Sequence, residues 1–123
     1  KVIDPRGKFG IYKFIGTPVY DLIKLSHSIF GNYDFLASDL YGLSHSKHHF
    51  SLYFPHEDKK FSSKLICREY FESLIKNYLI SLEDIRLLEA GLFLSAASLH
   101  PENNRSKVLF LNGMLILSTI LSK

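Results

Sequence analysis

The hydrophobic pattern of this chain changes period at Pro55, and this change constrains the fold more than any other feature. His49, Ser51 and Tyr53 alternate with Phe50, Leu52 and Phe54, and a polar turn at Ser44 to Lys47 separates them from Leu40-Tyr41-Gly42-Leu43. Alternation of this kind is typical of a β-hairpin. After Pro55 the apolar residues recur at the spacing of amphipathic helices. The sequence therefore predicts a small β element followed by a helical bundle, an α+β fold that is mostly α.

The N-terminal segment predicts a short strand, a loop and a helix. Lys1-Val2-Ile3 has the character of a strand end, and the two glycines and the proline of residues 4–10 predict a loop. Thr17-Pro18 is a suitable helix start, because Thr accepts a free backbone N–H and Pro has no donor to lose there. We predict a helix from Pro18 to Phe30, closed by Gly31 in a left-handed cap.

Three helices are predicted after the hairpin. The first carries one broad apolar face, made of Phe61, Leu65, Ile66, Tyr70, Phe71, Leu74, Ile75, Tyr78 and Leu79. The second starts at Ser81 with Asp84 as its capping-box partner and runs towards Leu99. Three small residues on it would let another helix approach closely, namely Gly91, Ala96 and Ala97. The last helix, about 106–121, is apolar nearly all round, so we expect it to be covered on several sides.

Composition excludes several classes of protein. The 123 residues, 46% of them hydrophobic, suffice for a single domain over 1–123 with its own core. The single cysteine, Cys67, excludes an intramolecular disulfide framework, and we expect an inert core thiol in a reducing compartment. The chain starts with charge and proline rather than an apolar leader, and its longest apolar run, 108–121, is shorter than the ~20 residues of a membrane span. We therefore expect a cytoplasmic protein without a membrane span.

The formal charge of +3 is too mild to indicate a nucleic-acid partner. Basic and acidic residues interleave in one cluster, made of Glu57, Asp58, Lys59, Lys60, Lys64, Arg68, Glu69 and Glu72. No stripe of aromatic and basic residues accompanies this charge, so a solvated helix face explains it and nucleic-acid binding is not expected.

Asp4 is the first candidate functional residue. It follows a short strand and precedes a glycine-containing loop, so its carboxylate would project from a strand end. A hard oxygen ligand in this position suits Mg²⁺, which proteins hold through one or two carboxylates together with substrate phosphates. The alternative is a turn-initiating Asp before Pro5, which is a common arrangement.

Two segments at matching separation carry a family resemblance: Ile3-Asp4-Pro5-Arg6-Gly7, and Gly16-Thr17-Pro18-Val19-Tyr20-Asp21-Leu22-Ile23-Lys24-Leu25. They resemble the phosphotransferase family of aminoglycoside and choline kinases, especially the kinase-like domains associated with bacterial surface-polysaccharide synthesis. The stretches around Ser26-His27-Ser28 and Tyr33-Asp34-Phe35, the hairpin and the helix end at Leu99-His100 also resemble that family. The resemblance spans nearly the whole chain and implies the helical C-terminal lobe of a protein-kinase-like fold.

The resemblance also implies roles for individual residues. Asp4 would bind the Mg²⁺ of bound ATP, as the Asp of the protein-kinase Asp-Phe-Gly motif does. Asp21 would support the catalytic loop by hydrogen bonding. Tyr20 and Lys24, one turn apart, would belong to a subfamily motif, and Lys24 reads equally as an exposed helix lysine. The helical lobe would shape the site of a small-molecule acceptor.

Several motifs of the phosphotransferase family do not occur in this sequence, and the functional hypothesis takes this into account. There is no glycine-rich phosphate loop, no ATP-pairing Lys on an early strand and no His-x-Asp-x-x-x-x-Asn catalytic loop. Phosphoryl transfer requires ATP, metal and acceptor to be positioned together. Because its first residue is Lys1 rather than Met, we expect the chain to be the C-terminal part of a larger kinase-like protein. The larger protein would transfer phosphate to a hydroxyl of a sugar or polysaccharide precursor. We expect the chain alone to be inactive. The rival hypothesis is a non-catalytic helical interaction module, which would associate with itself or with the rest of the protein through apolar surface.

Two further groups of polar residues offer alternative sites. His45, His48 and His49 offer imidazoles for Zn²⁺, but they lie in a polar turn without cysteine partners, which favours a solvated hairpin tip. Asp34 and Asp39 are close enough in sequence for a carboxylate pair, although capping or turn roles are more common for such residues.

Overall fold

The computed structural model describes residues 8–9, 12–13, 18–47, 49–54, 62–100 and 104–122. In chain order the elements are β1 (Lys8–Phe9), β2 (Tyr12–Lys13), α1 (Pro18–Ile29), α2 (Tyr33–Ala37), β3 (Gly42–Ser46), β4 (His49–Tyr53), α3 (Ser62–Ile75), a 3₁₀ turn (Lys76–Tyr78), α4 (Leu82–Ser98) and α5 (Asn104–Leu121). The described part is mostly helical and includes small antiparallel strand pairs, which confirms the predicted α+β, mostly α character.

The N-terminal strand prediction is only partly addressed by the described residues. Lys1-Val2-Ile3 lies outside them. Within the stretch predicted as a loop, Lys8 and Phe9 form β1, which pairs antiparallel with β2 in the register Lys8 with Lys13 and Phe9 with Tyr12. A stretch that contains glycine and proline therefore does not exclude a two-residue strand.

Helix α1 begins at Pro18, as predicted, and ends at Ile29. The predicted left-handed cap is wrong by one residue, because Asn32 has the positive φ of 57°. Asn tolerates this conformation since its short polar side chain can form local hydrogen bonds. Gly31 is needed for a different reason, a close approach of neighbouring groups to its backbone.

The predicted hairpin is present, with a tighter turn than expected. Strands β3 and β4 pair antiparallel from Gly42 with Tyr53 to Ser46 with His49. The residues from Ser44 to Ser46, which were predicted as part of the turn, belong to β3 because their backbone groups continue the ladder opposite β4.

Helix α4 is the centre of the bundle and takes part in two clusters of buried apolar residues. The larger cluster joins α4 to α5, α2 and the end of the hairpin, and its members are Leu36, Phe54, Ala90, Phe93, Ala97, Val108, Leu109 and Ile116. The smaller cluster joins α4 to α1 and α3, through Leu22, Phe71, Ile75 and Ile85. The predicted capping box is confirmed: the Asp84 backbone N–H donates to the Ser81 hydroxyl over 3.0 Å, and the Ser81 N–H donates to the Asp84 carboxylate.

Helix α3 is helical as predicted, but most of its broad apolar face is not in the core. Phe71 and Ile75 are buried, one turn apart, whereas Ile66 and Tyr70 are 63% and 73% exposed. A helix that meets its neighbours along one narrow stripe buries only residues at that spacing. Cys67 lies on the exposed side, so the expectation of a core thiol is wrong.

Helix α5 packs on α4 through one face only. Val108, Leu109 and Ile116 are buried, whereas Phe110 and Met114 are about half exposed. The prediction that this helix is covered on several sides is therefore wrong within the described part of the chain. The small residue at the contact is Gly113 on α5, where an added Cβ would come within 3.0 Å of the Leu94 side chain and 3.2 Å of the Ala90 carbonyl oxygen.

Gly91 does not provide the predicted close approach between helices. It is exposed, and a Cβ added to it would meet nothing within 4 Å. Of the other small residues predicted for this role, Ala97 is buried in the larger apolar cluster and Ala96 packs against that cluster.

Candidate functional site

Three of the residues implied by the family resemblance, Tyr20, Asp21 and Lys24, lie in the first two turns of α1. Asp21 is exposed in the first turn, where the positive end of the helix dipole favours a carboxylate. Tyr20 and Lys24 are half-buried on one helix face, and the Lys24 ammonium nitrogen lies 6.0 Å from the centre of the Tyr20 ring. This distance is at the limit of a cation–π contact. Asp4, the proposed Mg²⁺ ligand, lies outside the described residues.

The histidines and aspartates that offered alternative sites are only partly described. His45 and His49 are exposed on the two hairpin strands, and His48 lies outside the described residues. Asp34 accepts a long hydrogen bond of 3.4 Å from Ser28, and Asp39 forms a separate ion pair of 3.0 Å with Arg105. In the ranges that the structure describes, no three His, Cys, Asp or Glu side chains are grouped as metal ligands would be.

A buried polar cluster at the C-terminal half of α1 was not predicted from the sequence. Glu89 on α4 is fully buried, and its carboxylate accepts hydrogen bonds from the Ser26 hydroxyl of α1 and from Arg86, whose Nη1 atom lies 2.5 Å from Oε1. Ser26 is fully buried as well. We call these three residues the Glu89 cluster. It connects α1 to α4 through polar groups inside an otherwise apolar interface.

The charge of Glu89 is governed by competing effects. Burial raises the pKa of the Glu89 carboxyl, because removal from water disfavours the ionised form. Arg86 acts in the opposite direction by its charge and hydrogen bond, and the Ser26 hydroxyl also favours the ionised form. Burial is the largest of these effects, so the pKa lies above its ordinary value.

Arg86 is itself held in place by an aromatic ring. Its guanidinium carbon lies 5.4 Å from the centre of the Phe30 ring, and that of Arg68 on α3 lies 5.3 Å from the same ring. Phe30 also meets the buried Phe71 edge to face, with ring centres 5.6 Å apart. The cation of the Glu89 cluster is thus oriented by the segment that follows α1.

His27, next to Ser26, is buried and kept neutral. Its ring stacks on Tyr33 at 4.3 Å and lies 3.9 Å from the centre of the Phe93 ring. Burial, assisted by the charge of Lys24, lowers the pKa of His27 from 6.5 to about 4. Its Nε2 atom is buried and has no hydrogen-bond partner in the part of the chain that the structure describes.

Gly31 and Asn112 close the junction of α1, α4 and α5. The Asn112 side chain, buried on α5, donates a hydrogen bond of 2.9 Å to the Gly31 carbonyl oxygen. A Cβ on Gly31 would contact the Glu89 carboxylate and come within 2.6 Å of Phe93 and 2.7 Å of the His27 carbonyl oxygen. Only glycine leaves room for this packing of three helices.

The Glu89 cluster positions helices and is not itself a reaction site. With Glu89 and Ser26 fully buried, neither group is accessible to a ligand in this arrangement. Its effect is to fix α1 against the bundle. The exposed Asp21, a little more than one turn before Ser26 on the same helix, is thereby fixed as well. One signal in the sequence pointed to it: Glu89 lies one turn from both Ile85 and Phe93, in a row that should be apolar.

Comparison of the chain with protein families, with curated proteins and with solved structures finds no match. None of the helices in the described ranges combines the length and apolar character that crossing a membrane requires.

Proposed function

We propose that this chain is the C-terminal helical portion of an ATP-dependent phosphotransferase, which transfers phosphate to a hydroxyl of a small molecule such as a sugar or a surface-polysaccharide precursor. The proposal is supported by the resemblance of the segments around Asp4 and Asp21 to aminoglycoside and choline kinases. A mostly helical chain with a hairpin before its C-terminal helices is compatible with that resemblance. The chain alone lacks the catalytic loop, so its activity depends on a larger protein.

The observation that carries this proposal is the contrast between the two ends of α1. Asp21 is exposed in the first turn, whereas Ser26 and His27 are buried near the helix end. A helix fixed at one end and exposing a carboxylate at the other is suited to brace a second segment by hydrogen bonding. This is the role that the resemblance implies for Asp21 toward the catalytic loop.

Asp4 would hold Mg²⁺ in the complete protein. A carboxylate oxygen is the hard donor type that this cation prefers. Bound Mg²⁺ would neutralise charge on the phosphates of ATP. Tyr20 and Lys24 would belong to the same motif at the start of α1, where the Lys24 ammonium nitrogen lies 6.0 Å from the centre of the Tyr20 ring.

The direct test is ATP consumption by the protein produced with the coding sequence upstream of Lys1, assayed against a panel of sugars and amino alcohols. We expect activity that Asp4→Ala abolishes and that Asp21→Asn lowers without loss of folding, because Asp21 is exposed. Glu72→Gln, which changes an exposed acid on α3, is the matched control and should leave activity unchanged. An upstream sequence without His-x-Asp-x-x-x-x-Asn within a few tens of residues would refute the proposal.

A second candidate function is a non-catalytic interaction module. Leu65, Ile66 and Tyr70 on α3 are each more than half exposed. Large exposed apolar side chains at neighbouring positions usually mark a contact surface. This surface would pack against the remainder of the protein or against a second copy of the chain.

Light scattering at several protein concentrations distinguishes this second candidate. We expect the apparent mass to rise with concentration, and Ile66→Ser with Tyr70→Ser to reduce that rise. Leu121→Ser, which changes an exposed apolar residue at the end of α5, is the control and should have no effect. A monomer at all concentrations that binds no hydrophobic dye would contradict the interaction function.

A further inference from the structure

A groove of about 800 Å³ lies between the hairpin and the last two helices. Its apolar side chains come from four elements: Leu43 from β3, Phe50 from β4, Leu94 from α4 and Phe110 from α5. Leu43, Phe50 and Phe110 are 39%, 50% and 50% exposed. Cavities of about 300–1,000 Å³ with mainly apolar walls are typical of small-molecule sites. This groove therefore has the size and the lining of a ligand site.

The polar side chains of the groove are basic or neutral. Lys107 lies one turn before Phe110 on the same face of α5, and His45 contributes an imidazole from β3. No carboxylate occurs among the lining residues in the described part of the chain. The Ser106 hydroxyl is already engaged, since it donates to the Ala97 carbonyl oxygen over 2.8 Å. Among the described lining residues, an anionic group would therefore meet a cation and no opposing negative charge.

We infer that the groove binds an amphipathic anion, a fatty-acid carboxylate whose acyl chain covers Leu43, Phe50 and Phe110 and whose head group pairs with Lys107. The acyl chain removes exposed apolar surface from water, which supplies the affinity. The pairing with the ammonium group fixes the direction of the chain in the groove. None of the lining residues is one assigned to phosphotransfer, so this site stands independently of the proposed function.

Titration calorimetry of the folded chain with dodecanoate, below its micelle concentration, tests the inference. We expect saturable binding of one dodecanoate per chain. Phe110→Ser should weaken it about tenfold, because burial of a large apolar side chain is lost. Lys107→Gln should weaken it about fivefold, because a charge-assisted contact is lost. Two matched controls should bind as the unchanged protein does: Leu115→Ser, an exposed apolar residue of α5 outside the groove, and Lys76→Gln, a lysine of the 3₁₀ turn.

Two further ligands separate the contributions of chain and charge. Dodecyltrimethylammonium has the same chain with the opposite charge and should bind more weakly than dodecanoate, whereas butyrate has the head group without the chain and should not bind. Circular dichroism establishes that each variant is folded, and Leu43→Ser replaces Phe110→Ser if the latter does not fold. Equal binding of the cation and the anion, equal loss in groove and control variants, or no saturable binding would each overturn the inference.

Discussion

The Ser26 hydroxyl of α1 donates a hydrogen bond to the Glu89 carboxylate of α4, and both residues are fully buried. Their contact is polar, yet it lies between two helices that otherwise meet through apolar side chains such as Leu22 and Ile85. A buried polar group is costly unless its partners remain in place. The stability of the α1–α4 interface therefore depends on the integrity of this pair.

Replacement of Glu89 by alanine should destabilise the fold by about 1–3 kcal/mol, because the Ser26 hydroxyl and part of Arg86 lose their partner in a buried space. Glu89→Gln retains the shape and one acceptor oxygen, so it should cost less. Urea unfolding followed by circular dichroism measures both. Glu72→Ala, at an exposed position of α3, is the control and should stay within about 0.5 kcal/mol of the unchanged protein. Equal losses for the alanine variants of Glu89 and Glu72 would contradict the role of the cluster.

The raised pKa of Glu89 predicts how the difference in stability between Glu89→Gln and the unchanged protein depends on pH. The folded state favours the protonated carboxyl, so the stability it contributes is fully present below the ordinary pKa of 4.5 and declines as pH rises through the folded value. Glutamine does not titrate. As pH rises, the free energy of unfolding of Glu89→Gln should therefore increase relative to that of the unchanged protein. A difference that stays constant from pH 4 to pH 8 would contradict the raised pKa.

His27 predicts a loss of stability in acid. Its pKa is about 4 in the folded protein and 6.5 ordinarily, so the unfolded chain takes up a proton first as pH falls. The stability from neutral His27 is complete above pH 6.5 and is lost as pH falls toward 4, by about 3 kcal/mol in all. His27→Phe keeps an aromatic ring beside Tyr33 and Phe93 and should flatten this part of the pH profile.

The control for the acid prediction is His45→Gln on the exposed hairpin, which should leave the shape of the pH profile unchanged. Urea unfolding at half-unit pH intervals measures all three proteins. A profile of His27→Phe that is as steep as that of the unchanged protein would show that other groups cause the acid loss.

Cys67 should react with a thiol reagent in the native protein, because it is exposed on α3. We expect one equivalent of thiol to be modified without denaturant, at a rate that urea raises only a few-fold. Cys67→Ser should change the free energy of unfolding by no more than about 0.5 kcal/mol. A thiol that reacts only after unfolding would restore the core position first expected from the sequence.

Local sequence signals predicted where the helices begin, but they did not predict which residues of a helix are buried. The start of α1 at Pro18 and the Ser81–Asp84 capping box depend on residues a few positions apart, so the sequence contains the whole interaction. The exposure of Ile66 and Tyr70 depends instead on which helices lie beside α3. Helical spacing shows that an apolar face exists, but it does not show how much of that face a neighbour covers.

The Glu89 cluster could not be predicted from local sequence spacing either. Ser26 and Glu89 belong to different helices and are far apart in the chain, so no local spacing connects them. A charged residue in an apolar row could have marked Glu89 as buried, but its partner Ser26 has no such signal. Tyr20, Asp21 and Lys24, in contrast, lie within five consecutive positions, so a local motif could be read there, and its function stays a prediction.

Two glycines of the bundle give opposite predictions for the same substitution. Gly31→Ala should destabilise by about 1–3 kcal/mol, because the new Cβ would meet the Glu89 carboxylate, Phe93 and the rigid His27 carbonyl group. Gly91→Ala should stabilise by about 0.5–1 kcal/mol, because Gly91 is an exposed interior residue of α4 with open space around it and alanine loses less backbone entropy in a helix. Urea unfolding of both variants provides the measurement, and each serves as the control for the other. A stabilising Gly31→Ala would mean that α1, α4 and α5 do not meet as closely as the Gly31 junction requires.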